Sequence, residues 1–325
     1  MALVSGTYTR YAAQGLREEL EDKIYNISPE DTPFSSSIGR KSCNQTLTEW
    51  QTDTLAAVDA ANAQLEGDEA AFTTPSATVR VGNYTQISRK TAIIADTVDV
   101  VDKAGRASEM DYQVMKRAAE LKRDCEAIYL TNQGGDAGGV GTARKLASMG
   151  AWLKSAVSTG TGGGNPAYTS GVPGAARTDA TAGDMRAFTE TILKAVIQSV
   201  WTNGGKPKVL MCGPVNRTKA SVFSGIATRN FDLSNVDPKP TAVIASADVY
   251  VSDYGTLRVI PNRFQRERDA WVLDWDLLAG RVLRPMESKK LAKTGDAEKR
   301  LIVKEYSLQV KQEAGLGLAA DLTTT

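Results

Sequence analysis

Three short runs hold the side chains best placed to do chemistry, and each points to a different chemistry. In Gly138-Gly139-Val140-Gly141-Thr142-Ala143-Arg144-Lys145, glycines lead into two cations, the composition of a loop that wraps phosphate with its backbone. The spacing of a phosphate loop is absent, and the run follows a helical pattern rather than a strand, so a turn leaving that helix is the expected role. Glu66-Gly67-Asp68-Glu69 gathers three carboxylates that can hold a cation, but without the alternating ligand spacing of a calcium loop. An acidic tip facing water or another copy of the chain is expected there. Arg263, Arg266 and Arg268 can touch nucleic acid, yet Glu267 and Asp269 are mixed among them, which favours a solvated turn or a contact around a ring.

What is missing is as informative. The chain contains no histidine, which removes histidine triads, HExxH zinc sites and imidazole general bases. Cys43, Cys125 and Cys212 are far apart and odd in number, and read as buried or half-buried free thiols of a reducing compartment. Trp50, Trp152, Trp201, Trp271 and Trp275 follow no stacking pattern and are expected in core or interface packing. Neither a cofactor nor a metal site is expected.

The 325 residues are a prior for about two domains, and 42% hydrophobic content is enough for a real core. A formal charge of +1 gives no steering toward nucleic acid or an anionic membrane. No stretch is apolar enough to span a bilayer. Met1 to Arg10 lacks the pattern of a signal peptide, so no loss of a leading segment is expected.

The elements that would position these residues follow an unusual order. Residues 1 to about 40 read as a polar arm, with a short charged helix at Arg17–Asp22 and helix starts at Ser28-Pro29 and Thr32-Pro33. The second start leads into Phe34 and Ile38, with Gly39 as the expected stop. Thr46–Gln51 and Ala77–Val81 alternate at period two and predict an extended hairpin, joined by a long polar tip. Such a hairpin has too little apolar area to stand alone. Its charge is one-sided, with Glu49, Asp53, Asp59, Glu66, Asp68 and Glu69 against Arg80, and no lysine from Thr46 to Ser88.

A helix is predicted over Ser108–Thr131. Ser108 and Asp111 have capping spacing, and Val114, Ala118, Leu121, Cys125 and Ile128 form one apolar stripe. Lys116, Arg117, Lys122 and Arg123 project from its other faces. It is expected to stop where Gly134-Gly135 take left-handed geometry. A short apolar segment at Ala143–Leu153 and a linker at Ser158–Gly183 follow. A mixed α/β block comes next: a helix over Asp184–Trp201 capped by Thr181, a buried strand at Lys208–Cys212, a helix from Pro214, and a hairpin turning at Asp253-Tyr254-Gly255. Trp271–Leu273 and Val282-Leu283 add strands. The end reads as a hairpin turning at Thr294-Gly295-Asp296, whose last strand carries Ile302, Tyr306, Leu308 and Val310 on one face and is expected to return onto the helix at 108–131.

This order resembles the major capsid (major head) proteins of tailed bacteriophages, of Hong Kong 97-type α+β fold. The likeness spans nearly the whole chain. It is sharpest at Tyr25-Asn26-Ile27-Ser28-Pro29-Glu30-Asp31-Thr32-Pro33-Phe34, Glu49-Trp50-Gln51-Thr52-Asp53, Asn83-Tyr84-Thr85-Gln86-Ile87-Ser88 and Glu120-Leu121-Lys122-Arg123-Asp124. The resemblance implies an N-terminal arm at 1–45, an E-loop at 46–90, and a P domain at 91–183 with its spine helix at 107–132 and a glycine-rich loop. It further implies an A domain at 184–285 and a return to the P domain at 286–325. Such subunits form the hexamers and pentamers of an icosahedral shell around double-stranded DNA. The implied partners are the chain itself, portal and scaffolding proteins, and packaged DNA held by weak, non-specific contact, with no membrane. The implied location is the virion capsid, assembled in the bacterial host cytoplasm.

Intersubunit contacts are expected at Glu49, Trp50, Asp53, Glu66, Asp68, Glu69 and Arg80. The acidic tip is expected to meet Lys116, Arg117, Lys122 or Arg123 of a neighbour, each rim pair contributing roughly 0–1 kcal/mol. Some shells of this kind join an E-loop lysine covalently to another subunit. This excursion lacks one, and Lys90 lies at its base, so no such crosslink is expected. With no extra leading domain, a separate scaffold is expected. Two other fates remain open: an encapsulin-type nanocompartment, which shares the fold and encloses proteins, and a histidine-free soluble α/β enzyme.

Overall fold

A computed structural model describes residues 31–67, 69, 72, 74–102, 105–223 and 249–324. The helices expected at Arg17–Asp22 and Ser28-Pro29 lie outside these residues. In chain order the first elements are α1 (Pro33–Ser37), β1 (Gly39–Ser42), β2 (Leu47–Thr52), β3 (Val79–Tyr84), β4 (Gln86–Ala95), α2 (Asp96–Val100) and α3 (Glu109–Tyr129). Then come α4 (Met149–Trp152), β5 (Ala156–Ser158), α5 (Glu190–Thr202), β6 (Val209–Cys212) and α6 (Pro214–Ala220). The chain ends with β7 (Val249–Ser252), β8 (Gly255–Pro261), β9 (Ala270–Leu273), β10 (Leu278–Lys290), β11 (Ala297–Val310) and β12 (Gly317–Ala319).

Strand β11 lies between β10 and β4 in a sheet of order β1-β10-β11-β4, pairing antiparallel with both. Ile302, Tyr306, Leu308 and Val310 are buried as the sequence predicts, and Val303, Glu305, Ser307 and Gln309 between them are buried as well. Tyr306 meets Tyr129 of α3 edge-on, 5.3 Å between ring centres, so the last long strand does return onto the helix. Register slips in β10 flank Pro285, which has no N–H to give a ladder. A second sheet, of order β5-β12-β9-β6-β8-β7, carries α5 on its core side.

Helix α3 begins as predicted, with the Ser108 hydroxyl accepting from the N–H of Asp111 at 3.2 Å. Leu121 and Cys125 of its stripe are buried. Its end differs from expectation. Gly134 and Gly135 do not take left-handed geometry; a side chain on Gly134 would stand 2.3 Å from the carbonyl oxygen of Gly174. These glycines let two loops touch rather than stop a helix. Gly39 likewise stops nothing: it opens β1, paired in parallel with Ala279.

The helix expected from Asp184 begins instead at Glu190, because Thr189 accepts from Ile192 N–H while the Thr181 hydroxyl bonds the Asp184 side chain. The stretch 158–183 is no free linker, since it sends Tyr168 and Val172 onto the core and buries Arg177.

Asn83 joins the hairpin to this body. Its side chain, wholly buried, accepts from Ala147 N–H at 2.8 Å and donates to the carbonyls of Ala147 at 2.9 Å and Leu308 at 2.7 Å. Replacing it with alanine removes three bonds to buried backbone groups, of which the Ala147 carbonyl keeps Trp152 Nε1–H at 3.2 Å. Asn83→Ala should lower unfolding free energy by roughly 2–4 kcal/mol, read by urea titration of the full chain. An unchanged midpoint would show that the anchor lies elsewhere.

Candidate functional site

The region most open to function is the hairpin β2–β3 and its tip. The two strands pair from Leu47↔Tyr84 to Thr52↔Val79, so the predicted ribbon is present. Its base is bound to its own chain. Val81 is buried, the N–H of Gly82 donates to the Gly171 carbonyl at 2.9 Å, and Trp50 packs on Trp152 with ring centres 5.3 Å apart. Trp50, expected at an intersubunit contact, is half-buried against its own chain. Glu49 and Arg80, also expected there, form an ion pair with each other, and that bond raises the Arg80 guanidinium above its ordinary value. Asp53 is exposed, its carboxylate accepting from Thr54 N–H at 2.9 Å.

Beyond the base the chain lacks cover. Leu55 is 98% exposed, Val58 97%, Leu65 80% and Phe72 97%. Sequence reasoning read this tip as polar and missed them, because their spacing follows neither a strand nor a helix period. Apolar side chains held this far into water mark a surface awaiting a partner. Glu66 and Glu69 are exposed beside them; Asp68 lies outside the described residues.

The helix cations divide. Arg117 pairs with Glu120 at 2.7 Å, and the Arg123 guanidinium lies over the Phe264 ring, both half-buried in their own chain. Lys116 and Lys122 are exposed. Among the described residues, no helix packs on the second face of the central sheet along β4. Ser88 and Lys90 of β4 turn toward α3, Ser88 bonding Tyr306 and Lys90 pairing with Asp124 at 2.7 Å. Ile87, Arg89, Thr91 and Ile93 alternate onto the opposite face and are exposed.

The runs that invited chemistry have structural roles. Gly138 to Thr142 form a tight turn in which Gly139 and Thr142 exchange backbone bonds of 3.1 Å, with Gly141 at φ 89°. Arg144 points away from that turn, to Glu305 and the Thr85 carbonyl. The arginine turn was expected to be solvated or to make a contact around a ring; instead it is part of a buried knot within its own chain. Arg177, fully enclosed, lies 2.9 Å from Asp269 and 3.6 Å from Asp321; Arg266 pairs with Asp179, and Arg268 with Asp321 at 2.8 Å. Arg263 is exposed.

Asp321 also accepts from the N–H groups of Ala180 and Gly160, at 3.0 and 3.1 Å. Burial acts to raise its pKa, but these bonds and the arginines outweigh burial and hold it below the usual carboxylate range. Asp269 goes the other way: burial pushes it up to about 6 against the pull of Arg177 and Arg266. Burial also raises the thiols of Cys125 and Cys212, the latter to about 12, which leaves both unreactive. Among the described residues, no cluster of carboxylates and thiols is arranged to hold a metal, and no helix is long and apolar enough to cross a membrane.

Comparison with known proteins agrees with this geometry. The family model described as SU10 major capsid protein matches residues 4–323. The major capsid protein of Escherichia phage Phieco32 is 29% identical over 348 residues, covering 96% of each chain. Among solved structures, the capsid asymmetric unit of cyanophage A-1(L) has a TM-score of 0.64 at 13% identity, covering 95% of this chain and 98% of its own. Mycobacterium phage Cain gives 0.60 at 10% identity, covering 98% and 100%. The SrpI encapsulin of Synechococcus elongatus gives 0.54 at 10% identity, covering 96% and 94%. The structural neighbours are of Hong Kong 97 type, as the sequence led one to expect.

The knot makes a pH prediction. Folded Asp269 keeps its proton up to about pH 6, whereas its ordinary value is 3.8. Its contribution to stability is therefore full below the unfolded value and is lost as pH rises through about 6. In Asp269→Asn that dependence disappears. The difference in unfolding free energy between the two proteins should change by on the order of 1–3 kcal/mol between about pH 4 and 7. Parallel urea curves across that range would contradict it.

Proposed function

The chain belongs to the SU10 major capsid protein family, and from that premise we propose that it assembles into the hexamers and pentamers of an icosahedral shell enclosing double-stranded DNA. The observation that carries this reading is the uncovered tip. Fully burying a Leu, Val or Phe contributes about 1.5–3 kcal/mol, so Leu55, Val58, Leu65 and Phe72 leave a large contribution unrealised in a lone subunit. Heterologous contact, tip of one copy on the body of the next, closes into a ring. Weak contacts made together around a shell then give a tight whole.

The open sheet face of a neighbour is the best receiver for the tip. Ile87 and Ile93 offer apolar ground, and Arg89 and Lys299 offer charge opposite to Asp59, Glu66, Asp68 and Glu69. Helix α3 is a poorer receiver than the sequence indicated, since Arg117 and Arg123 are occupied within their own chain. The division into arm, E-loop, P domain and A domain stays part of this proposal, as do portal and scaffolding partners and assembly in the host cytoplasm. An encapsulin shares the fold; the sequence match to phage capsid proteins favours a virion. The family and these neighbours are structural proteins rather than enzymes.

The expressed chain should give hollow shells or capsomer rings by electron microscopy of the void fraction. A variant with Leu55, Val58, Leu65 and Phe72 all changed to Asp should keep its melting curve and lose those particles; equal particle yield would remove the tip from assembly. Charge reversal at Glu66, Asp68 and Glu69 should slow assembly most at low salt. Boiled particles should run as monomers on a denaturing gel, because Lys90 is held by Asp124 at the hairpin base; a covalent ladder would contradict this.

A further inference from the structure

On the helix side of the central sheet, a groove of about 430 Å³ opens between α1, α3 and the β10–β11 hairpin. Three cations from three different elements line it: Arg40 of β1, Lys122 of α3 and Lys304 of β11. Among the described residues, no carboxylate lines it. The carboxylates of α3 that might have neutralised it are engaged elsewhere. Glu126 accepts from the N–H groups of Phe34 and Ser35, both at 2.7 Å, and from Asn262; Asp124 pairs with Lys90, and Glu120 with Arg117. Among the described residues, Arg40, Lys122 and Lys304 make no ion pair. The hydroxyls of Thr32, Ser35 and Ser36 stand on the rim.

We propose that this groove binds the phosphodiester backbone of the enclosed double-stranded nucleic acid, and so that the α3 side of the subunit is the side facing the cargo. The proposal rests on the reading of the chain as a shell subunit. Lysine and arginine donors beside neutral hydroxyls are the set that contacts phosphate oxygens without reading sequence. Gathering like charges in a concave, partly enclosed place raises the local potential well above that of the nearly neutral surface as a whole. This explains how a chain of net charge +1 can coat a polyanion: the charge is concentrated rather than abundant. The rival occupant is the acidic tip of a second copy. Its four exposed apolar residues need apolar ground, and Ile87 and Ile93 supply that on the opposite face, whereas Ile38 and Tyr129 at the groove are already buried.

The test uses the full chain and a short fluorescent DNA duplex, with binding followed across a salt titration. The triple variant R40Q/K122Q/K304Q is compared with R89Q/K289Q/K299Q from the opposite face. The groove variant should bind at least tenfold more weakly at low salt. Its slope of log affinity against log salt should fall by about two to three, one phosphate contact per cation removed. The opposite-face variant should keep the slope of the unaltered chain. Melting curves check that each variant folds, and the three single substitutions give graded losses if the triple does not. Equal slopes in all proteins overturn the proposal, as does an unaltered chain that does not bind the duplex. Loss of particle assembly in the groove variant with unchanged duplex binding also overturns it, and assigns the groove to the acidic tip. If the unaltered chain forms no particles yet the groove variant loses duplex binding, the groove stands and the shell reading falls.

Discussion

The structure depends on the double pairing of strand β11. Its residues 300–310 pair on one edge with β10, and 297–306 pair on the other with β4. Helix α3 packs on the face they present. Several long-range ties run into this strand or its immediate neighbours. Asn83 reaches the Leu308 carbonyl, Glu305 collects Thr85, Arg144 and Arg284, and β1 extends the sheet beyond β10. Burial alone would raise the pKa of Glu305, yet those donors hold it below the usual range. The charge is therefore a fastening and not a reactive group.

Around that strand, buried carboxylates do the work that local capping does elsewhere. Glu126 holds the start of α1, whose N–H groups have no capping side chain of their own. Glu267 does the same for α6, accepting from Val215 and Asn216. Glu313 accepts from the N–H groups of Lys154 and Ser155, and Asp321 from those of Gly160 and Ala180. Each satisfies backbone donors that would be costly to bury alone. Short elements too small to persist by themselves are thereby locked to the body. In the tip of the hairpin Leu55, Val58, Leu65 and Phe72 stay exposed, and this contrast between finished body and unfinished limb is what the functional reading uses.

Much of the frame was legible in the sequence because it follows local rules. Period-two alternation found β2, β3 and β11, the stripe through Leu121 and Cys125 found α3, and Ser108 set its start within a residue. Turns at Gly255 and Gly295 also fell where composition put them. What failed was decided by residues distant in the chain. Thr181 and Asp184 have the spacing of a cap, but their side chains bond each other, and Thr189 starts the helix instead. Gly134 sits after a helix like a stop, but a loop forty residues on decides its role. The Arg266–Asp269 turn looks solvated until Arg177 and Asp321 close over it. For the candidate site, the acidic charge of the tip was legible and its apolar side chains were not, since exposure without periodicity leaves no pattern to read.

The position of β11 near the end of the chain has a consequence for synthesis. The hairpin base, α3 and the arm all emerge from the ribosome before the strand that unites them. Until residues beyond Ala297 are made, β4 has no partner and the Asn83 amide has no Leu308 to hold. A prematurely terminated product therefore lacks the centre of its sheet and cannot offer a neighbour a properly seated hairpin. In the proposed shell, chains cut short before β11 would thereby be kept out by the topology itself.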